Sequence, residues 1–296
     1  MRASERGILL LTCPLGDPER RPLTVAQFRV LAKRASQMEV PLYDRELEAS
    51  DIVALGYDTG FADHVLTLLS QEDDLEHYLR RSQKANCGCI TRISPDYPRK
   101  LRIRLGLDCP GTLWTKGNTA LLESPMLSLV GSRDILPDSK AFAQALGIQA
   151  ALQGYTLVSG NARGADRTAQ NACLRAGGKV ISVVADELEK QPNDPNVLYV
   201  SEDGFDLAFT SQRALHRNHV IHAFGEKTFV AQCSLETGGT WDGTVKNLRF
   251  GWSSVFCFQD GSEAIARLIQ MGAEPVTMNA LHDLRGLQGA TLNFFE

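Results

Sequence analysis

The chain has 296 residues, of which 43% are hydrophobic and 22% are charged, and its formal net charge is −4. This length allows one large domain with a small companion, and the composition excludes a disordered or collagen-like chain. The negative balance excludes a uniformly basic surface, although it permits a local basic cleft. No apolar run reaches the roughly 18 residues of a spanning helix, so we expect no membrane association.

Seven cysteines are scattered along the chain without a regular spacing. This pattern is typical of buried thiols in a reducing compartment rather than of a disulfide framework. The apolar stretch GILLLTC near the start is too short, and too soon followed by charge, for a secretory signal. We therefore expect a cytoplasmic protein. Cys87 and Cys89 lack a second pair at zinc-ribbon spacing, so we do not expect them to bind a metal.

Helical periodicity dominates residues 1–85. Apolar residues recur every three or four positions in LTVAQFRVLAKRASQ and again in FADHVLTLLSQEDDLEHYLRRSQ. The pattern predicts a small helical N-terminal domain, SAM-like or helix-hairpin-helix-like. A plain structural bundle also accounts for this pattern, and it is favoured over a module for DNA or protein contact.

Residues 86–296 are predicted to form a second domain. After a lead-in punctuated by Pro and Gly, which holds one or two strands, apolar strands alternate with helix-length segments. Strands are predicted in MLSLVG, YTLVSG, KVISVVA, KTFVAQC and SSVFCF, with a short one in EPVTM. Such alternation indicates a parallel sheet covered on both faces. The predicted class is α/β, with an extended Rossmann-like, doubly wound and mostly parallel sheet.

Four turns of this sheet carry residues suited to a phosphate. Ligands of open parallel sheets bind outside the carboxyl ends of the strands, where arginine side chains and the amides of helix starts can hold a phosphate. The candidate phosphate-binding residues are Gly131, Ser132, Arg133, Ser159, Gly160, Arg163, Gly164, Lys179, Arg217, Asn218, Gly238, Gly239 and Thr240. The expected ligand is a nucleotide or a phosphate-bearing chain.

Motifs for catalysis and cofactors are missing from the sequence. There is no G-x-G-x-x-G fingerprint, no P-loop and no G-x-S-x-G elbow. We therefore predict a binding protein with no cofactor and no catalytic residue. Asp166 is expected to stabilise the start of its helix.

Three histidines, His216, His219 and His222, recur at i, i+3 and i+6. They could share one helix face as metal ligands, but no carboxylate lies near them in the sequence and no His-Glu-x-x-His pattern occurs. We therefore predict no metal site, with His216 and His219 as polar helix residues beside the arginine cluster.

The order of the motifs SLVGSR, LVSGNARGADRTAQ, GGKVISVV, HRNHVIHA and ETGGT resembles the DNA-processing protein A family, also called DprA or Smf. The lead-in ISPDYPRKLRIRLGLDCPGTLWTKGN is also similar to that family. The resemblance implies an extended Rossmann-like fold that binds single-stranded DNA and passes it to the RecA recombinase. It also implies a homodimer and a role in natural transformation.

By position, the family's Gly-Ser-Arg motif corresponds to residues 131–133, and its Ser-Gly-x-Ala-x-Gly motif to residues 159–164. Its Arg-Asn-Arg motif departs at the last member, which is His219. Further departures are Ala169-Gln170, in place of an Ala-His pair, and Val230-Ala231-Gln232, in place of Val-Glu-Ala. No room is expected for the winged-helix tail of some members. These departures leave the predicted fold intact.

Two other functions stay open at this point. Related Rossmann-like proteins bind or hydrolyse a single nucleotide in the same crevice, and Glu236 and Asp242 are the acidic candidates for such chemistry in SLETGGTWDGTVKN. A scaffold that binds only proteins is the third possibility. For stacking against bases, Trp241 and Phe224 are the aromatic candidates, although both could equally belong to the core.

Overall fold

The computed structural model describes residues 1–37 and 45–289. Within these residues the helices are α1 Ala3–Thr12, α2 Val25–Ala35, α3 Ala49–Ala54, α4 Thr59–Leu69, α5 Glu72–Lys84, α6 Arg99–Leu105, α7 Pro137–Leu152, α8 Ala165–Arg175, α9 Ser211–His216, α10 Asn218–Phe224, α11 Gly238–Phe250 and α12 Glu263–Gln270. The strands are β1 Gly88–Thr91, β2 Thr112–Gly117, β3 Met126–Val130, β4 Thr156–Ser159, β5 Lys179–Val183, β6 Val197–Ser201, β7 Lys227–Val230, β8 Ser254–Phe258 and β9 Glu274–Val276.

The nine strands of the described residues form one sheet in the order β1-β2-β6-β5-β4-β3-β7-β8-β9. Every neighbouring pair from β6 to β9 is parallel, whereas β1 and β2, and β2 and β6, are antiparallel. The prediction of a mostly parallel, doubly wound sheet is confirmed. The lead-in supplies β1 and β2, as expected. β6, with the sequence VLYVS, was not predicted.

The strand order reverses between β3 and β7. From β3 the chain winds outward through β4 and β5 to β6, then returns to place β7 on the other side of β3. Two parallel strands whose following connections leave in opposite directions open a crevice at their carboxyl ends. The turns singled out in the sequence after β3 and β7 therefore face each other.

Alternating strand residues bury two faces of the sheet. On one face Leu127, Leu157 and Val180 pack against α7 and α8, and on the other Val158 and Ile181 belong to the core that includes α6 and α10. The strand interiors are apolar on both faces, which is why they appear as continuous apolar runs in the sequence.

The N-terminal helices α1 to α4 have a small core of their own, which includes Phe28 and Leu31. Helices α1 and α5 also contribute Leu9 and Tyr78 to the main core on one face of the sheet. The predicted helical character of residues 1–85 is confirmed, while a domain boundary at residue 85 stays a prediction. No helix of the described residues is long and apolar enough to cross a bilayer.

Candidate functional site

A cavity of about 360 Å³ lies at the carboxyl ends of β3, β4 and β7, where the strand order reverses. Four connections line it: β3 to α7, β4 to α8, the α9 to α10 corner, and β7 to α11. The predicted residues that line it are Gly131, Ser132, Arg133, Arg217, Asn218, Gly238, Gly239 and Thr240. Three of the four turns singled out in the sequence thus line the cavity with predicted phosphate-binding residues. The fourth, the turn after β4, lines it with Ala162 and Asp166, which were not predicted to bind phosphate.

The turn after β3 is held by its own hydroxyl. Ser132 Oγ accepts a hydrogen bond from the Asp134 amide at 3.2 Å and donates to the Asp134 carbonyl at 2.9 Å. Arg133 is exposed, and its guanidinium lies 5.6 Å from the centroid of the Phe209 ring. The Arg133 side chain is therefore presented to solvent at the cavity beside an aromatic surface.

The turn after β4 approaches the turn after β3 very closely. Gly164 has φ +88°, and a Cβ built on it would lie 2.3 Å from the Ser132 carbonyl oxygen. The Ala165 amide donates to that same oxygen at 3.1 Å. Only glycine can occupy position 164 without displacing the neighbouring turn.

The Asp166 carboxylate holds the turn after β4 in place through hydrogen bonds to its backbone. Its Oδ2 accepts hydrogen bonds from the amides of Gly160 at 3.2 Å and Ala162 at 3.3 Å. Burial raises the pKa of Asp166, and the charge of Arg217 opposes that rise. The predicted role of Asp166 at its helix start thus includes fixing the preceding loop.

Arg217 forms part of the cavity wall as a buried guanidinium that is only 7% exposed. It donates to the Val183 carbonyl, and it packs flat against Gly160, where any Cβ would overlap it. Burial lowers the pKa of Arg217, an effect that Asp166 partly offsets. Its positive charge lies behind the cavity surface, and direct contact of Arg217 with a phosphate stays a prediction.

The start of α11 opens onto the cavity. Thr237 precedes the helix without a side-chain capping hydrogen bond, and Gly238 has φ +82° with no atom within 4 Å of the position that a Cβ would occupy. Asn218 donates to the Gly239 carbonyl at 2.9 Å, and Thr240 donates to the Gly131 carbonyl at 3.0 Å. The first-turn amides of a helix without a side-chain cap attract an anion.

Five predicted residues do not line the cavity. Two of them, Gly160 and Gly164, belong to the turn after β4 and allow close packing against Arg217 and against the turn after β3. Ser159 is buried and donates to the Leu129 carbonyl at 2.8 Å. Arg163 is exposed and pairs with Asp134 at 2.5 Å. Lys179 begins β5, so it lies at the amino edge of the sheet, opposite the cavity. Lys179, which was also predicted to bind phosphate, therefore lies far from the four turns.

Two residues near the cavity, Arg213 and Phe209, were not among the predicted phosphate-binding residues. Arg213, next to the arginine motif, donates to three carbonyl groups and pairs with Asp203 at 3.1 Å, so it braces the corner before α10. Phe209 had no sequence signal beyond being aromatic. Of the predicted stacking residues, Phe224 is fully buried and Trp241 is half-buried.

The histidines have a carboxylate neighbour in space that their sequence spacing did not predict. Glu202, which follows β6 directly, lies 3.2 Å from His216 Nδ1 and 3.6 Å from His219 Nε2. The carboxylate comes from the end of a strand that was not predicted, 14 residues or more before the histidines, so spacing could not reveal it. His222 instead lies in the core, where its Nδ1 meets Asn247 Nδ2 at 3.0 Å.

A family model for the DNA recombination-mediator protein A matches residues 88–283, which is more than half of the chain. The chain belongs to this family. The resemblance deduced from the GSR and SG-x-A-x-G motifs is thereby confirmed. The matched region begins at β1 and includes every turn that lines the cavity.

Curated relatives agree with this assignment. The chain is 30% identical over 187 residues to the DNA processing protein DprA of Streptococcus pneumoniae, covering 57% of this chain and 64% of that protein. It is 30% identical over 168 residues to protein Smf of a Synechocystis strain, covering 54% of this chain and 41% of that protein. The chain thus spans less than two thirds of the length of these relatives.

Solved structures share the fold. The X-ray structure of DprA from Streptococcus pneumoniae matches with a TM-score of 0.75 at 24% identity, covering 97% of this chain and 99% of that one. A DNA processing protein A from Helicobacter pylori, described for a single-stranded DNA binding mode, matches with a TM-score of 0.56 at 22% identity, covering 67% and 94%. The first of these matches shows that the helices before β1 and the sheet recur together.

Proposed function

We propose that the cavity at the β3–β7 crevice holds the phosphate backbone of single-stranded DNA, and that this protein acts as a DNA-processing recombination mediator. The observation that carries the proposal is the convergence of an uncapped helix start, α11, with the exposed guanidinium of Arg133 on one cavity. Both offer donors to phosphate oxygens, and neither reads a base. Family membership supports the same ligand.

A single strand suits this surface better than a duplex. Phe209, 49% exposed, lies beside Arg133, so an unstacked base can lie on its ring while the neighbouring phosphate meets the guanidinium. Stacking on an exposed aromatic is independent of sequence and requires a base that has left its stack. In a duplex the bases are not available to this ring.

The positive charge that binds the DNA strand must come from residues near the cavity, since the whole chain has a net charge of −4. Arg163 pairs with Asp134 between two highly exposed side chains, 73% and 84% accessible. Exposed pairs of this kind contribute little free energy, so a phosphate can replace Asp134 as the partner of Arg163. The arginines at 133 and 163 thus offer consecutive phosphate contacts beside the cavity.

The test is a salt-dependent titration of a fluorescent single-stranded oligonucleotide, followed by anisotropy. Arg133→Ala is expected to weaken binding by at least about tenfold, because a charge-assisted hydrogen bond contributes roughly 1.5–3 kcal/mol. The slope of log K against log salt should fall by about 0.7 for each phosphate that the protein no longer neutralises. Arg133 is preferred to Arg217 as the target, since substitution of the buried Arg217 also perturbs the fold.

Arg175→Ala is the matched control. It removes the same charge from an exposed arginine at the far end of α8, at the opposite edge of the sheet. Affinity and salt slope should stay at their wild-type values in this variant. Equal weakening in both variants would mean that diffuse surface charge, rather than the cavity, binds the strand.

A second candidate, a site for one free nucleotide, is favoured by the size of the cavity, since about 360 Å³ falls within the range of small-molecule sites. Neither acidic candidate for hydrolysis lines it among the described residues, and Asp242 pairs with Lys246 at 2.8 Å. We therefore favour binding over catalysis. Competition by nucleoside monophosphates at micromolar concentration, or release of free base from them, would support this alternative instead.

The finer expectations from family membership extend this proposal. They are a homodimer, transfer of the strand to RecA, a part in natural transformation and a cytoplasmic location, for which the seven unpaired thiols of the described residues give support. Co-sedimentation with RecA on a single-stranded oligonucleotide tests the partner. Light scattering of the free protein tests the dimer.

A further inference from the structure

A cluster of two histidines and one carboxylate lies beside the cavity without taking part in it. Glu202 follows β6, His216 ends α9 and His219 lies in the first turn of α10. Glu202 Oε2 is 3.2 Å from His216 Nδ1 and 3.6 Å from His219 Nε2, and the three possible ligand atoms all lie within 4.8 Å of one another. Three elements thus aim their donor atoms at one point.

The His219 imidazole is oriented as metal ligands usually are. The ring uses Nδ1 to contact the His216 carbonyl, so its Nε2 is the nitrogen that faces Glu202. A ring N–H given to a carbonyl fixes the tautomer and leaves the other nitrogen free to coordinate. The two histidine rings meet edge to face, with centroids 4.9 Å apart. The backbone of one histidine therefore orients the other.

Burial of the carboxylate is the second, independent observation. The Glu202 side chain is only 5% exposed, and its Oε1 is buried without a hydrogen-bond partner among the described residues. The neighbouring Arg213 pairs with Asp203 and with backbone carbonyls. A buried carboxylate is destabilising unless a cation lies against it, and Oε2 is the oxygen that faces both histidines.

We propose that Glu202, His216 and His219 form a binding site for a divalent transition-metal ion of the Zn²⁺ class. At the usual metal–ligand distances of about 2.0–2.1 Å, two ligands of a tetrahedral ion lie about 3.3 Å apart. The two separations from Glu202 Oε2, 3.2 and 3.6 Å, bracket this value, and the two histidine nitrogens lie within 4.8 Å of each other. Imidazole with one carboxylate selects Zn²⁺, Co²⁺ or Fe²⁺ over Mg²⁺ and Ca²⁺.

Access and the fourth ligand come from the adjoining grooves. Glu202 and His216 line a groove of about 400 Å³ that also contacts Thr24 and Val25 at the start of α2, and His219 lines the neighbouring groove. A water from this space completes a tetrahedral shell. Because the two histidines flank residues 217 and 218 of the cavity wall, the bound ion fixes the corner that carries this wall.

The experiment uses the full chain, treated with a chelator and then titrated with Zn²⁺ by calorimetry and with Co²⁺ by visible absorption. One ion per chain is expected, with the d–d bands of a tetrahedral nitrogen–oxygen site and no thiolate charge-transfer band. Mg²⁺ should not compete. The thermal midpoint should rise with Zn²⁺.

His216→Ala is the first variant because His216 is 47% exposed, and Glu202→Gln is the second, a near-isosteric change at the buried ligand. Each should weaken Zn²⁺ binding by roughly 100-fold or more, beyond the effect typical of a supporting residue. His282→Ala removes an exposed histidine elsewhere and should leave binding unchanged. Absence of Zn²⁺ binding, a thiolate band, or wild-type affinity in both folded variants would overturn the proposal, and would leave protonated histidines as the partners of Glu202.

Discussion

Burial decides what the polar side chains around the cavity can do. Arg217 is predicted to contact phosphate, and its buried guanidinium donates to the Val183 carbonyl, packs against Gly160 and lies in the field of the Asp166 charge. Arg133, three positions after the end of β3, is exposed. The two arginines thus differ in surroundings, because the Arg217 side chain is enclosed and the Arg133 side chain is open to solvent.

His222 provides a test of how burial of a single side chain affects the stability of the protein. It is completely buried, and burial lowers its pKa to about 3, so it is neutral in the folded protein. In the unfolded chain its pKa is about 6.5. Between these values the unfolded state binds the extra proton, so the free energy of unfolding should fall by roughly 1.4 kcal/mol for each pH unit below about 6.5.

The measurement is denaturant unfolding from pH 7 to pH 4. His222→Asn keeps an acceptor for Asn247 but cannot be protonated, so this variant should lack that component of the pH slope. His282→Asn, at an exposed position, should keep the wild-type slope. A wild-type slope in His222→Asn would show that other groups control acid stability.

At the scale of strands and helices, the cavity forms because the turn after β3 and the turn after β4 are in close contact. The turn at Gly164 lies under the carbonyl oxygens of Ser132 and Arg133, and Thr240 ties α11 to the same strand end. The first of these contacts uses backbone atoms alone, so it sets the shape of the cavity independently of the side chains that line it. Rigid supports of this kind hold a binding site in position before the ligand arrives.

Gly164→Ala is expected to disrupt this junction. A Cβ would lie 2.3 and 2.4 Å from two carbonyl oxygens, and φ is +88°, so we expect a decrease of at least about 3 kcal/mol in the free energy of unfolding. Gly177→Ala shares the strain of a positive φ, +78°, but has no atom within 4 Å of its Cβ. Its decrease should stay at about 1 kcal/mol.

Thermal or denaturant unfolding of both variants measures the difference. Single-stranded DNA binding should also fall in Gly164→Ala, at temperatures where it remains folded, and stay unchanged in Gly177→Ala. Equal stability of the two variants would show that the two turns separate without an energetic penalty.

Across the full chain, the N-terminal helices are joined to the sheet by an aromatic cluster. Tyr78 on α5 lies 5.2 Å from Trp114 on β2 and 4.6 Å from Phe205, measured between ring centroids. The Tyr78 hydroxyl donates to Asp206 at 2.7 Å, and Arg81 pairs with the same carboxylate at 3.0 Å. The antiparallel strand β2 and helix α5 therefore pack into the same core.

Tyr78→Ala should destabilise both parts of the protein. Removing a fully buried aromatic side chain decreases the free energy of unfolding by about 3–5 kcal/mol, and it leaves Trp114 and Phe205 against a void. If the helices and the sheet unfold as one unit, far-ultraviolet circular dichroism and tryptophan fluorescence should shift together. His77→Ala, at the exposed neighbouring position, is the control and should leave the midpoint unchanged. Separate transitions in the variant would indicate independent domains.

Most strands, the helical periodicity and the turns that line the cavity could be predicted from residue order alone. Buried strands such as β3 and β5 are apolar on both faces, and the Gly-Ser-Arg and Gly-Gly-Thr turns follow strands closely, so local composition carries the signal. The order of those motifs also identified the family. β6 was missed, although the run VLYVS is as apolar as the strands that were recognised.

Packing in three dimensions was needed to show which of these groups act together. It distinguishes Arg133 from Arg217 by burial, places Lys179 at the far edge of the sheet, and brings Glu202 to the two histidines of the α9–α10 corner. Residues that are remote along the chain become neighbours only once the strand order is fixed, and the surrounding elements determine whether a side chain's charge can reach a ligand. Neither property is encoded in the spacing of residues.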